Sequence, residues 1–191
     1  MRIGSICTGY GGLDQAVESA FGARIAWVSD ISTGARKLAA HRWPDIPNLG
    51  DITRVSWHTV PTVDIICGGT PCQDVSTAGR RAGMTAGTRS NLWQSMREAI
   101  HVIKPSIVAW ENVPGARSAR ADSNLESEPG RVGDPDGQPV LRALGRVLGD
   151  LASLGFDAEW RSVRASDIGA CHRRERVFVL AWRAAADRPR I

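Results

Sequence analysis

The stretch Ile3–Asp30, IGSICTGYGGLDQAVESAFGARIAWVSD, decides the fold. It opens on a short β-prone run, Ile3 to Cys7, and passes through the turn Cys7-Thr8-Gly9-Tyr10-Gly11-Gly12. Apolar residues then recur at helical spacing from Gly12 to Phe21, and a second β-prone run, Arg24 to Ser29, ends in Asp30. A helical period held between two short apolar runs predicts a strand, helix, strand unit with its strands in parallel. The glycines let the backbone approach a nucleotide-like ligand at the start of the helix, and an acid at the end of the second strand is placed to accept a ribose hydroxyl. Each sign also has a structural reading: a tight turn for the glycines, a helix-start acid for Asp30.

The alternation continues outward from this unit. Ser32 to His41 reads as a helix opened by a serine cap. Val63 to Cys67 and Ser106 to Trp110 are short apolar runs of the kind found in buried parallel strands, joined by a helix from Asn91 to Ile103. Val140 to Leu154 has helical spacing, and Gly155 can end it. Phe156 to Val163 and Arg176 to Trp182 read as late strands with only a short connection between them, which makes the last one antiparallel. The expectation is an α/β protein with a doubly wound, mostly parallel sheet and an antiparallel last strand, forming a single domain over 1–191. Gly50-Asp51-Ile52 is expected to close a further strand position, where Asp51 can receive an adenine amino group. Two segments break the pattern: Thr77 to Ser90 reads as a long mobile loop, and Arg117 to Pro139 as a flexible excursion.

Hydrophobic content of 42% and charged content of 23% over 191 residues are those of a globular protein with a substantial core. No apolar run approaches the length of a membrane span, so a cytoplasmic protein without membrane contact is expected. The cysteines Cys7, Cys67, Cys72 and Cys171 form no CxxC pair, so neither a metal site nor a disulfide framework is expected. The net charge of +4 is concentrated in an arginine-rich end, Arg161 to Arg190, suited to phosphate contacts or simply to a solvated charged face.

Chemistry gathers where the predicted strands end. Gly68 to Ser76, GGTPCQDVS, follows directly on the run ending at Cys67. Cys72 there is either a small apolar residue in a turn or a nucleophile on a glycine-flanked, proline-stiffened loop. Trp110-Glu111-Asn112-Val113-Pro114 repeats the geometry on a neighbouring strand, and its carboxyl can act as an acid toward a ring nitrogen while a thiolate attacks the ring. The alternative is a surface acid. Arg174 and Arg176 alternate along the last connection and strand, either facing the same cleft or charging an edge strand against aggregation.

Taken in order, CTGYGG at Cys7 to Gly12, Asp30, GDI at Gly50 to Ile52, GGTPCQDVS around Cys72, TRSNLW at Thr88 to Trp93, ENV at Glu111 to Val113 and HRRERVF at His172 to Phe178 resemble the motifs of the DNA (cytosine-5) methyltransferase family over nearly all of the chain. The resemblance implies a Rossmann-like, S-adenosylmethionine-dependent methyltransferase fold acting on cytosine in DNA. It implies Cys72 as the nucleophile at C6, Glu111 at N3, Arg176 at O2 and Arg174 as support for the pocket. Cofactor contacts would come from Cys7, Thr8, Gly9, Tyr10, Gly11, Gly12, Asp30, Ile31, Asp51, Ile52 and Pro71. DNA contacts would come from Gln73, Ser76, Arg80, Arg81 and Arg89, with 77–90 closing over a flipped base. Cytosine methylation in RNA, or a catalytically silent binding relative, are the other outcomes of the same resemblance. The chain departs from the family at Cys7, where an aromatic residue is usual, at Thr70 for phenylalanine, and at Cys171 and His172 for proline and glutamine. No target-recognition domain follows HRRERVF in this sequence: the favoured reading is a minimal enzyme with relaxed or loop-based sequence choice, beside one half of a split enzyme, with a second chain or self-association supplying target recognition, and a truncated relative without turnover.

Overall fold

In the computed structural model residues 1–70, 92–117 and 143–183 are described. Their strands are β1 (Arg2–Ile6), β2 (Arg24–Ser29), β3 (Ile65–Gly68), β4 (Ile107–Asn112), β5 (Phe156–Arg164) and β6 (Glu175–Arg183), and their helices α1 (Gly12–Phe21), α2 (Thr33–Arg42), α3 (Leu92–Ile103) and α4 (Ala143–Ser153). The strands form one sheet in the order β2-β1-β3-β4-β6-β5. β1 pairs in parallel with β2 on one side and β3 on the other, and β3 pairs in parallel with β4. β6 runs antiparallel to both β4 and β5.

The pleat divides the apolar residues between two cores. Ile107 and Ala109 join Ile3, Ile25, Ile65 and Cys67 under α1 and α2, while Val108 and Trp110 join Val177, Val179 and Ala181 under α3 and α4. Burial on both faces is what makes the central strands read as continuous apolar runs. Because the chain leaves β1 toward β2 and returns to β3 on the opposite flank, a crevice opens at the carboxyl ends of β1 and β3, where ligands bind in such sheets.

Four details differ from the sequence expectation. β1 stops at Ile6, since Cys7 adopts φ +53, a left-handed conformation that cannot continue a strand. β4 runs on to Asn112 because antiparallel pairing carries Glu111 opposite Phe178 and Asn112 opposite Val177. Ser32 precedes α2 without a side-chain cap; instead its backbone N–H donates to Asp30 Oδ1 at 2.8 Å. Gly50-Asp51-Ile52 closes no strand. Only Asn48 bridges Val28, and the chain then turns away. Among the described residues no helix is long and apolar enough to cross a membrane.

Candidate active site

The turn after β1 is bent by three left-handed residues, Cys7, Gly9 and Gly11, within one loop. Asp30 holds that loop: Gly9 N–H donates to its Oδ2 at 2.8 Å, and Ser32 N–H to its Oδ1. Asp30 is therefore both a helix-start acid and the tether of the glycine turn. Each carboxylate oxygen accepts more than one hydrogen bond, so a ribose hydroxyl can still be received there. Below the loop the Ser5 and Thr8 hydroxyls share a 2.7 Å hydrogen bond, and from α2 Arg42 Nη1 donates to the Tyr10 carbonyl at 2.7 Å.

Cys7 is half-buried beside Asp30 and Asp51, and burial first, then the two carboxylates, push its thiol up to about 12. At neutral pH it is a neutral apolar group, not a nucleophile. Asp51 Oδ1 accepts from the Thr53 hydroxyl at 2.7 Å and the Thr53 N–H at 3.0 Å, and these bonds hold its carboxyl below the usual range. Ile31 and Tyr10 are 70% and 84% exposed at the rim, whereas Ile52 is buried. Two acids, a left-handed glycine turn at a helix start and two exposed apolar side chains thus meet at the switch point of the sheet.

On the other side of the crevice, the paired glycines of GGTPC have separate steric causes. A Cβ on Gly68 would strike the Ile6 carbonyl oxygen, and one on Gly69 would lie 2.9 Å from Glu111 Oε2 and 3.2 Å from the Glu111 carbonyl. Glycine is required because β1 and β4 approach so closely. The Glu111 carboxylate meets the Arg176 guanidinium, Oε1 to Nε 2.7 Å. Both side chains lie on the same face of adjacent antiparallel strands, one diagonal step apart. β6 is an internal strand, so the edge-strand reading of its arginines does not hold; β5 is the edge. Arg176 makes the pair, while Arg174 is exposed just before β6, its N–H donating to His172 Nδ1 at 3.4 Å and its carbonyl accepting from Ala165.

Thr70 is fastened to the same strand. Asn112 Nδ2 donates to the Thr70 carbonyl at 3.3 Å and to its hydroxyl at 3.2 Å, and Trp110 Nε1 reaches that hydroxyl at 3.3 Å. All three residues are buried. Thr70, where the resemblance would place phenylalanine, is thus a hydrogen-bonded anchor just before Pro71 and Cys72 in sequence. Pro71, Cys72, Gln73, Ser76, Arg80, Arg81 and Arg89, with the whole of 77–90 and the part of the excursion beyond Arg117, lie outside the described residues.

Sequence reasoning gave no role to three polar residues on the elements that frame the crevice. Asn112 carried a signal, a polar side chain ending an apolar run. Asp14 is buried on α1, where the Cys67 thiol donates to its Oδ1 at 3.5 Å. Glu175, flanked by arginines in HRRERVF, gave no signal of its own.

A family model for C-5 cytosine-specific DNA methylases matches residues 1–188. The chain belongs to that family. A protein of Escherichia phage P1 named DNA N-6-adenine-methyltransferase is 31% identical over 216 residues, covering 93% of this chain and 28% of that protein. The type II methyltransferase M.NlaIV of Neisseria lactamica is 29% identical over 169 residues, 88% of this chain and 37% of that one. In fold, a DNMT2 variant from Spodoptera frugiperda superposes with a TM-score of 0.70 at 20% identity, covering 98% of this chain and 51% of that one. This C-5 cytosine methylase chain therefore spans between about a quarter and a half of these relatives.

Proposed function

We propose that the chain transfers a methyl group to C5 of a flipped-out cytosine in DNA through a covalent adduct between Cys72 and C6. The observation that carries this reading is the Glu111–Arg176 pair, set against Gly69 and Thr70 at the root of the segment bearing Cys72. Cytosine C5 becomes nucleophilic only when a thiolate adds at C6, which requires charge management at N3 and O2 on the far side of the ring. A carboxyl and a guanidinium in contact are matched to those adjacent atoms: Glu111 bonds and protonates N3, and Arg176 donates to O2. Once C5 carries the methyl group, water takes the C5 proton, the C6–S bond breaks to release the Cys72 thiolate, and N3 returns its proton to Glu111.

The residues of the glycine turn fit S-adenosylmethionine: Asp30 for the ribose hydroxyls, Asp51 for the adenine amino group, and Ile31 with Tyr10 as apolar cover for the ring. When bound, that cofactor supplies the electrophilic methyl group. Cys7 and Cys67 are held as neutral thiols, which supports Cys72 as the nucleophile. Methylation of an adenine amino group, suggested by the phage relative's name, needs neither a thiol nor a carboxyl at a ring nitrogen, because the amine is itself the nucleophile. DNA would be held by backbone charge contacts from Arg80, Arg81 and Arg89, with Gln73 and Ser76 near the base, and Arg174 would support the pocket.

The test is incubation with labelled S-adenosylmethionine and duplexes containing 5-fluorocytosine. A denaturation-resistant protein–DNA adduct is expected, absent in Cys72→Ser. Labelled N6-methyladenine, or an adduct on RNA alone, would replace this reading with the corresponding rival; no adduct on either would leave a silent binding module.

A further inference from the structure

We infer that Glu175 is a positioning residue that fixes the Arg176 guanidinium on Glu111, acting from the opposite face of the sheet. This rests on the function proposed above. Side chains alternate along β6, so Arg176 faces the crevice with Glu111 while Glu175 faces away from it. There the Glu175 carboxylate takes two arginines at once. Its Oε1 lies 3.0 Å from Arg117 Nη2, and its Oε2 lies 3.5 Å from Arg164 Nε.

The placement of those two arginines gives the contact its meaning. Arg117 ends the short 3-10 turn Pro114–Arg117, which follows ENV directly on leaving β4. Arg164 is the last residue of β5 and sits directly opposite Glu175 in the ladder. One carboxylate thereby joins the turn that follows the Glu111 strand, the edge strand and the start of the Arg176 strand. The main chain completes the link: the Glu175 carbonyl accepts from Arg176 Nη1 at 2.7 Å, while Arg176 Nε meets Glu111. The guanidinium is held at two nitrogens, by the carboxylate it serves and by the peptide of the residue that Arg117 and Arg164 anchor.

Ion pairs to arginines this exposed, 43% for Arg117 and 61% for Arg164, add little to folding stability. Their contribution is geometric. Glu175→Gln should leave the melting temperature within roughly 2 °C and S-adenosylmethionine affinity unchanged. The rate of adduct formation on 5-fluorocytosine DNA should fall about tenfold, as expected when a reacting group is loosened rather than removed. Arg117→Ala should do the same, and Arg164→Ala less, in line with its longer contact.

A readout independent of turnover is the Nε–H resonance of Arg176 in the protein alone, assigned by its disappearance in Arg176→Lys. Its exchange with water should quicken about tenfold in Glu175→Gln, following the same loosening. Unchanged Arg176 exchange, or a rate loss that merely tracks a fall in melting temperature, would overturn the proposal. Were the wild type to form no adduct while Glu175→Gln still released Arg176, the methylation reading would fail and the positioning role would stand.

Discussion

The two sides of the crevice are built by different means. On the side of the glycine turn, where the cofactor is proposed to bind, the decisive contacts are backbone N–H groups donating to one carboxylate, and they join residues close in sequence: Gly9 to Asp30 spans 21 residues, Ser32 to Asp30 only 2. Opposite, side-chain charges do the holding across long chain separations, as between Arg117 and Glu175, 58 residues apart. The first side is a turn shaped by φ and small residues. The second exists only once β6 has inserted between β4 and β5. The charged side depends on each partner's position.

The widest separation between the two sides should appear at Glu111. Glu111→Gln keeps the side chain's shape but removes the acidic proton exchanged with N3 and weakens the contact with Arg176. Methyl transfer should fall by about 10²–10⁴-fold, the usual span for loss of a general acid, while cofactor affinity stays level. Single-turnover rates set beside equilibrium cofactor binding make the measurement. An equal loss in both would mean that the two sides are one mechanical unit.

A smaller effect is expected at Gly69, which touches only the charged side. A methyl group there lies 2.9 Å from Glu111 Oε2 and 3.2 Å from the Glu111 carbonyl, so the carboxyl must shift from the position in which its Oε1 meets Arg176 Nε at 2.7 Å. Gly69→Ala should slow transfer by about 10–100-fold, the penalty of a misplaced reacting group, again without weakening the cofactor. Full activity would mean that the Glu111–Arg176 geometry is looser than 2.7 Å implies.

Asp30→Ala reverses the pattern. It removes the acceptor for Gly9 and Ser32 N–H, two bonds to a charged group, and frees the glycine turn. Cofactor affinity should drop about tenfold or more, since each bond to a charged group contributes roughly 1.5–3 kcal/mol and 1.4 kcal/mol is a factor of ten. The transfer rate at saturating cofactor should change little. Calorimetric titration with S-adenosylhomocysteine reads the first quantity, and saturated single-turnover kinetics the second.

What was legible in the sequence follows the same division. The parallel half could be read because period and punctuation are local: α1 and β2 fall at Gly12–Phe21 and Arg24–Ser29, as their spacing predicts. The short link between the last two strands also foretold an antiparallel β6. That β6 would lie inside the sheet was not legible, because β5 and β6 are both short runs that could occupy the edge, and pairing with β4 decides between them. Asp51 was misplaced on a strand because an acid before Ile52 looks the same whether a ladder or a turn holds it. Glu175 stayed hidden because a glutamate among arginines declares no direction until the pleat assigns it a face.

The smallest expected effect lies at the seam between the two sides. Asp14 stands in the first turn of α1, on the cofactor side, yet it accepts from the thiol of Cys67 on β3, the strand that leads into GGTPC. It is almost wholly buried, and burial raises its pKa above the ordinary value despite the hydrogen bonds that favour the carboxylate. A carboxyl whose folded pKa is raised binds its proton more tightly in the folded state. Its contribution to stability is therefore fully present below the unfolded pKa of 3.8 and is lost as pH rises through the folded value. Above the folded value the wild type carries the cost of a buried charge, and asparagine, which keeps an acceptor for Cys67 without the charge, should relieve it. Asp14→Asn is expected to gain about 1 kcal/mol at pH 8, roughly 2–4 °C in melting temperature for a chain of this size, with the gain shrinking as the pH falls toward the acid range. Melting curves across that interval decide the matter. A variant less stable than the wild type at pH 8 would show that the ionised carboxylate, drawn by the first-turn N–H groups of α1, is what ties the cofactor turn to β3, and the two sides would then share an electrostatic joint as well as a sheet.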